Sequence, residues 1–350
     1  LPLKLQRIIY TTDIDLLWKE VPMTNRSSRK HLLDRRSFLK NGALAAGALA
    51  TGAFTTGSTS SLTRPVLTAN EGNEKTRFLH ACMTLPYRNF PLERALTGIK
   101  SAGYDHVAWG TEHREEDGED HAVMPTDAHP DQAAELGRRC RDLGLEPVKM
   151  FSSVYPDYDD AIEVLTNRIR QAAAAGIKQV LTFGNTRGGD PKVWMERFKE
   201  LGPIAADYDV TLVMKQHGGQ TTGTGEALAK IVREVDHPNV WMSYDAGNTF
   251  WYQEVDPIPD IQTCTDLIRG FCLKDARSYP SKATNGPGYG DIDHYRLFAP
   301  VAFTGHTMPL AYENIFPPYI DQPTSAEQVD QYARHAREFM ENVIKALQKT

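Results

Sequence analysis

The chain has 350 residues, 41% of them apolar and 24% charged, which is ordinary globular material with enough length to bury a sizeable core. A net charge of −6 excludes the global basic field that nucleic-acid binding uses. The four cysteines, Cys82, Cys140, Cys264 and Cys272, have neither Cys-x-x-Cys spacing nor the density of a disulfide-stapled domain.

The N-terminal segment reads as a processing signal. Asp34-Arg35-Arg36-Ser37-Phe38-Leu39-Lys40 precedes a run of small apolar residues at 42–57 and a Ser/Thr stretch at 58–63. Paired arginines followed by Phe-Leu and a weakly apolar stretch resemble a twin-arginine export signal, so the twin-arginine translocase is an expected partner and the periplasm, or another exported location, the expected destination. The apolar run is too short and too rich in Gly, Ala and Thr to span the ~30 Å of a bilayer core. Met23 begins a conventional signal with a basic start. The expected organisation is therefore residues 1–22 as a non-native upstream extension, 23–69 as the signal, 70–76 as a linker and 77–350 as the working domain.

From residue 77 strand and helix patterns alternate. Strand 78–85 is followed by helix 91–102 with a Gly103 stop, and strand 106–110 leads through an acidic, His-bearing loop to helix 130–143 with a Gly144 stop. Strand 147–154 precedes helix 159–175 and Gly176, strand 179–183 precedes helix 191–208, and strand 210–215 precedes helix 225–235. The last three units pair strand 240–244 with helix 259–268, 271–274 with 292–298, and 309–312 with 325–347. Eight such units, with short apolar strands, predict an α/β fold: a single closed (β/α)8 barrel. No glycine lies in the stretch 82–88 after the first strand, which argues against a dinucleotide site. Gly-Pro-Gly-Tyr-Gly-Asp at 286–291 lacks the Gly-Lys-Ser/Thr ending of a phosphate loop and reads as a substrate-covering loop.

Four polar strings end successive strands: Met214-Lys215-Gln216-His217-Gly218-Gly219, Tyr244-Asp245-Ala246-Gly247-Asn248, Cys272-Leu273-Lys274-Asp275 and Tyr312-Glu313-Asn314. In a parallel barrel the chemistry sits at the carboxyl ends of the strands. Glu112 and His113, placed at the end of the second strand, and Asn185, after the fourth, join Asn248, Lys274, Asp275 and Arg277 as candidate substrate contacts. Each has a plainer reading. Asp245 could cap the next helix, Lys274 and Asp275 could be an ion pair at the rim, Cys272 could be a small apolar strand residue, and His217 could serve the Gly218-Gly219 turn. Phe250, Trp251 and Tyr252 are expected in a loop, where aromatic faces suit sugar C–H stacking. The acidic run 115–120 reads as a solvated loop.

With the strand ends aligned, the chain resembles the xylose-isomerase-like TIM barrels, a group of sugar isomerases, epimerases and endonuclease-IV-type enzymes, over nearly all of residues 77–350. The resemblance implies one divalent cation held by Glu, Asp, His and Glu at these strand ends, with paired glutamates moving protons across an enediolate. Residue by residue it places Asp245 and Glu313 in that set. Lys215 stands where the pattern has its first glutamate, and Cys272 where it has histidine before Leu-Lys-Asp. A cation could be held by Asp245, Glu313, His217 and Cys272, a mixed set that favours zinc over manganese or magnesium. Alternatively Lys215 takes the metal's place; it is a poor Schiff-base candidate because two nearby carboxylates push its pKa up.

The expected activity is sugar isomerisation or epimerisation by proton abstraction next to a carbonyl, on a small carbohydrate. Glu313 is the expected base, Asp245 a metal ligand or charge partner, and Lys215 and His217 the electrophilic or acid side. A lyase or hydratase acting on a 3-keto-glycoside is the alternative within the same chemistry, and a non-catalytic sugar-binding protein the alternative outside it. DNA repair, known in one branch of the group, is disfavoured by export and by the missing histidine-rich metal set.

Overall fold

The computed structural model describes residues 74–183, 189–218, 222–320 and 323–349. The expected upstream extension and export signal, the expected linker as far as residue 73, and Asn185 lie outside the described residues. The end of the expected linker is already part of the folded domain. Thr76 is buried, its hydroxyl donating to the Val301 carbonyl at 2.5 Å and its amide to the Ala302 carbonyl at 3.0 Å.

Eight parallel strands close into a barrel: β1 (Arg77–Met83), β2 (His106–Trp109), β3 (Glu146–Phe151), β4 (Gln179–Phe183), β5 (Thr211–Lys215), β6 (Val240–Tyr244), β7 (Ile268–Leu273) and β8 (Thr307–Tyr312). Each pairs with its neighbours in sequence, and β8 returns to β1 with Arg77 opposite Thr307 and Cys82 opposite Tyr312. The helices are α1 (Leu92–Ser101), α2 (Pro130–Asp142), α3 (Ala161–Ala175), α4 (Pro191–Asp207), α5 (Gly225–Val235), α6 (Ala246–Gln253), α7 (Pro257–Ile261), α8 (His294–Phe298) and α9 (Ala326–Leu347). The chain is thus the single (β/α)8 barrel its periodicity predicts. Helix stops fall where glycine permits a left-handed residue, as at Gly176 (φ 78°) after α3. Among the described residues no helix is long and apolar enough to cross a membrane.

Three expectations need correction. The first strand ends at Met83 and a short 3-10 turn, Leu85–Tyr87, follows it, because Pro86 cannot donate to a strand ladder. Residues 259–268 are not one helix. Asp245 starts α6 directly after β6, α7 is a separate single turn begun by Asp256, and Ile268 already belongs to β7. Consequently Phe250, Trp251 and Tyr252 lie on α6 rather than in a loop. Glu112 and His113 lie beyond β2, which ends at Trp109; they sit on one strand of an antiparallel ribbon, Glu112–Arg114 against Asp120–Ala122, with the acidic run as its turn.

Strand geometry places the chemistry. Successive side chains on a strand alternate between the barrel interior and the helix layer. The interior is filled by Ala81, Met83, Ala108, Phe151, Leu181, Phe183, Val213, Cys272 and Ala311, a cluster separate from the large layer between strands and helices. Counting two residues onward from Val213 and Ala311 gives Lys215 and Glu313. The same count from Cys272 gives Lys274, and from Ser243, Asp245. Four charged residues therefore share the inward side at the carboxyl end of four consecutive strands, β5 to β8.

Candidate active site

Lys215, Asp245, Lys274 and Glu313 form one buried cluster. The Lys215 Nζ lies 2.5 Å from Glu313 Oε2 and 3.2 Å from Asp245 Oδ2; the Lys274 Nζ lies 3.1 and 3.3 Å from the same two oxygens. Lys215 and Asp245 have no exposed side-chain surface, whereas Lys274 keeps 9% and Glu313 14%, so these two face the mouth. Two carboxylates against two ammoniums leave the cluster neutral, which offsets much of the cost of burying four charges. Cys272 adds a thiol that donates to Glu313 Oε2 at 2.5 Å and lies 3.5 Å from the Lys215 Nζ. Cys272 is therefore both an interior strand residue and a member of the cluster.

Asp245 carries both of its sequence readings at once. Its Oδ1 accepts the Asn248 amide at 2.9 Å and caps α6, while its Oδ2 faces the two lysines. The cap fixes the carboxylate at the strand end. Gln216, which the sequence did not single out, holds the other side: its Oε1 accepts the Asp245 amide at 3.0 Å, and its carbonyl accepts Asn248 Nδ2 at 2.8 Å. Asn248 Oδ1 in turn accepts Lys274 Nζ at 3.1 Å. Asn248 thus ties Gln216 and Lys274 together within the site. Tyr244 anchors the segment from below, donating to Asp260 Oδ2 at 2.8 Å, and Asp260 also accepts the Gly225 amide at the start of α5.

Electrostatics follow the contacts. Burial pushes the Glu313 carboxyl up, but the Lys215 and Lys274 ammoniums and the Cys272 thiol outweigh it and hold the group well below the usual carboxylate range. Burial pushes Lys215 down, yet Cys272, Glu313 and Asp245 reverse this and hold it well above an ordinary lysine; burial also pushes Lys274 down, and Asp245 and Glu313 raise it above the ordinary value. Both lysines are therefore ammoniums, in keeping with the low rank given to a Schiff base. A third buried lysine, Lys149 on β3, lies deeper in the barrel and donates to Ser243 Oγ (3.0 Å) and the Phe271 carbonyl (3.2 Å). With no carboxylate in contact, burial lowers its pKa from 10.5 to about 8. The one signal for it in the sequence was a cation inside an apolar strand.

The other expected site residues make contacts of their own. The His217 ring stands between Phe183 and Tyr252, with centroids at 4.7 and 5.3 Å. Phe151, Phe183, Tyr155, His217 and Tyr252 form a continuous aromatic wall beside Lys215. Asp275 is not Lys274's ion-pair partner. Its carboxylate accepts the amides of Ala276, Gly288, Gly290 and Ile292 at 2.8–3.2 Å and so ties down the glycine-rich loop. Arg277 reaches Ser281, Glu112 pairs with Arg88 at 3.1 Å, and the buried His113 ring bonds the Phe90 carbonyl at 2.9 Å.

A metal ion can be tested against this geometry. Among the described residues one group, Asp245, Cys272 and Glu313, has ligand atoms that all lie within 4.8 Å of one another; His217 is not part of it, which corrects the expected four-ligand set. The Lys215 ammonium contacts all three. A divalent ion roughly 3 Å from that ammonium would meet a repulsion on the order of 10 kcal/mol at an effective dielectric constant of about 20, set against its attraction to the two carboxylates. Asp245, Cys272 and Glu313 are thus a candidate metal site, and Lys215 competes with an ion for the same three ligand atoms.

Residues 96–343 match the family model described as xylose isomerase-like TIM barrel. The barrel is similar to the structure of L-ribulose 3-epimerase (TM-score 0.60, 16% identity, covering 79% of this chain and 96% of that one). It is also similar to the IOLI protein with a binding zinc atom (TM-score 0.58, 17% identity, 77% and 98%). A xylose isomerase-like TIM barrel/4-hydroxyphenylpyruvate dioxygenase fusion protein matches 77% of the chain at 19% identity and a TM-score of 0.58, and the chain spans 43% of that protein's length. No curated protein sequence matches the chain. A closed eight-strand barrel and a family match over most of its length lead to one conclusion: the chain belongs to the xylose isomerase-like TIM barrel family.

Proposed function

We propose that this protein is an exported sugar isomerase or epimerase that abstracts a proton next to a carbonyl. The observation that carries this reading is the partly open Glu313 carboxylate, held at the barrel mouth between two ammoniums. Enolisation needs a base at the α-carbon and a positive partner at the carbonyl oxygen. Glu313 supplies the base. Lys274, the ammonium nearer the mouth, supplies the partner.

In the resting cluster both lysines depress the basicity of Glu313. A substrate carbonyl that draws Lys274 toward itself removes one of them, so the carboxylate becomes a stronger base as the α-proton becomes more acidic. Lys215, with no exposed surface, acts on the substrate only through Glu313 and Asp245. The aromatic wall offers apolar faces to sugar C–H groups. Sugar epimerases among the structures of this fold, and the twin-arginine motif at residues 34–40, support the substrate class and the export.

The test is product analysis on a panel of free aldoses, ketoses and 3-keto-glycosides. The expected result is an isomer or epimer of a substrate, absent with Glu313→Gln. Release of an aglycone or monosaccharide from a 3-keto-glycoside would replace this reading with the lyase, and binding without any conversion would replace it with a sugar-binding protein.

A further inference from the structure

We propose that Lys215 is the resident cation of this site: its ammonium fills the point on which Asp245, Cys272 and Glu313 converge, so that the two carboxylates are held in register without a metal ion. The proposal deepens the enolisation reading and rests on it only for the statement that Glu313 faces a substrate.

Three observations carry it. The first is position. Lys215 Nζ lies 2.5 Å from Glu313 Oε2, 3.2 Å from Asp245 Oδ2 and 3.5 Å from Cys272 Sγ, so one nitrogen takes up all three ligand atoms that come together among the described residues. The second is what covers its remaining sides. The rings of Phe151 and Phe183 lie with centroids 5.5 and 5.3 Å from the ammonium, a setting that suits an organic cation and itself offers a metal no ligand atom. The third is charge. Lys274 already opposes the same two oxygens, so the pair of carboxylates is balanced before any ion arrives.

One residue therefore decides whether the barrel is a metal site. Replacing the ammonium by a carboxylate, Lys215→Glu, removes the cation that contacts all three ligand atoms and adds a fourth donor to an Asp/Cys/Glu set, a combination that takes zinc, with Lys274 left on the mouth side of the two carboxylates. In this account Lys215 is a positioning residue, and metal acquisition is a readout that a merely structural lysine would not move.

The experiment uses the purified chain, stripped with chelator, dialysed against zinc chloride and assayed by elemental analysis and thermal melting. The native chain is expected to retain less than roughly 0.1 equivalent of zinc and to melt at the same temperature with and without chelator, whereas Lys215→Glu retains about one equivalent and melts several degrees higher with zinc. About one equivalent in the native chain, lost in Asp245→Asn and in Glu313→Gln, overturns the proposal. So does a folded Lys215→Glu that takes up no zinc. If that variant fails to fold, the native chain's stoichiometry still decides. A native chain that holds no zinc but converts no sugar counts against the proposed function and leaves this inference standing.

Discussion

The two ends of the barrel are built from the same eight strands and treat charge in opposite ways. At the carboxyl end Lys215, Asp245, Lys274 and Glu313 are buried and share partners within 3.3 Å. At the amino end the strands open on a cavity of about 530 Å³ lined by residues such as Leu79, Val148, Gln179, Trp241 and Arg269, and the charges around it lie out in solvent. There Lys178 pairs with Asp209 with side chains 68% and 88% exposed, and the Arg269 guanidinium lies flat on Trp241 at 3.7 Å. Charge at the lower end keeps the surface wet. At the upper end each charge depends on its neighbours, and this interdependence makes the cluster capable of chemistry and costly to disturb.

The contrast can be broken by substitution. Glu313→Gln is expected to lower turnover about 10²- to 10⁴-fold with the fold intact, measured as the initial rate on whichever sugar is converted, with circular dichroism as the control. Lys215→Met leaves two carboxylates facing one ammonium and is expected to cost roughly 3–5 kcal/mol in urea unfolding. A loss below about 1 kcal/mol would mean the cluster is not buried as described.

Lys149 sharpens the contrast through pH. Its folded pKa of about 8 lies below the unfolded 10.5. The unfolded chain therefore binds more protons between those values, and stability attributable to this group rises as pH goes from 8 to 10.5. Relative to Lys149→Met, the native chain should gain on the order of 3 kcal/mol across that window. Equal slopes for the two proteins would remove the buried, uncompensated ammonium from the account. The smallest effect belongs to the lower end: Lys178→Ala should change stability by no more than about 0.5 kcal/mol in the same urea assay.

The barrel and the core of the cluster were legible in the sequence for one physical reason. A strand has period two, so a polar string directly after an apolar run must point its alternate side chains into the barrel mouth. Lys215, Asp245, Lys274 and Glu313 follow from that rule. Other roles left no such trace. His217 is two residues past Lys215, beyond the end of β5, and its ring turns to Phe183 and Tyr252. Asp275 looked like half of an ion pair, but its partners are backbone amides, which carry no residue identity. Lys149 sits one turn of the pleat below Phe151, and its depth depends on small neighbours across the barrel. A Cβ on Gly270 would come within 3.0 Å of its Nζ. The helix expected at 259–268 is replaced by α6, which Asp245 begins directly after β6, by the single turn α7 and by a 3-10 turn at Thr265–Leu267 that leads into β7.

The most direct test of the central claim is solvent exchange. Ketoses and 3-keto-glycosides would be incubated in deuterium oxide with the chelator-treated chain and followed by NMR at the carbon next to the carbonyl. The account predicts deuterium at that carbon with the native chain and none above background with Glu313→Gln. Exchange that persists undiminished in the variant, or conversion of a sugar with no solvent deuterium entering either substrate or product, would contradict it.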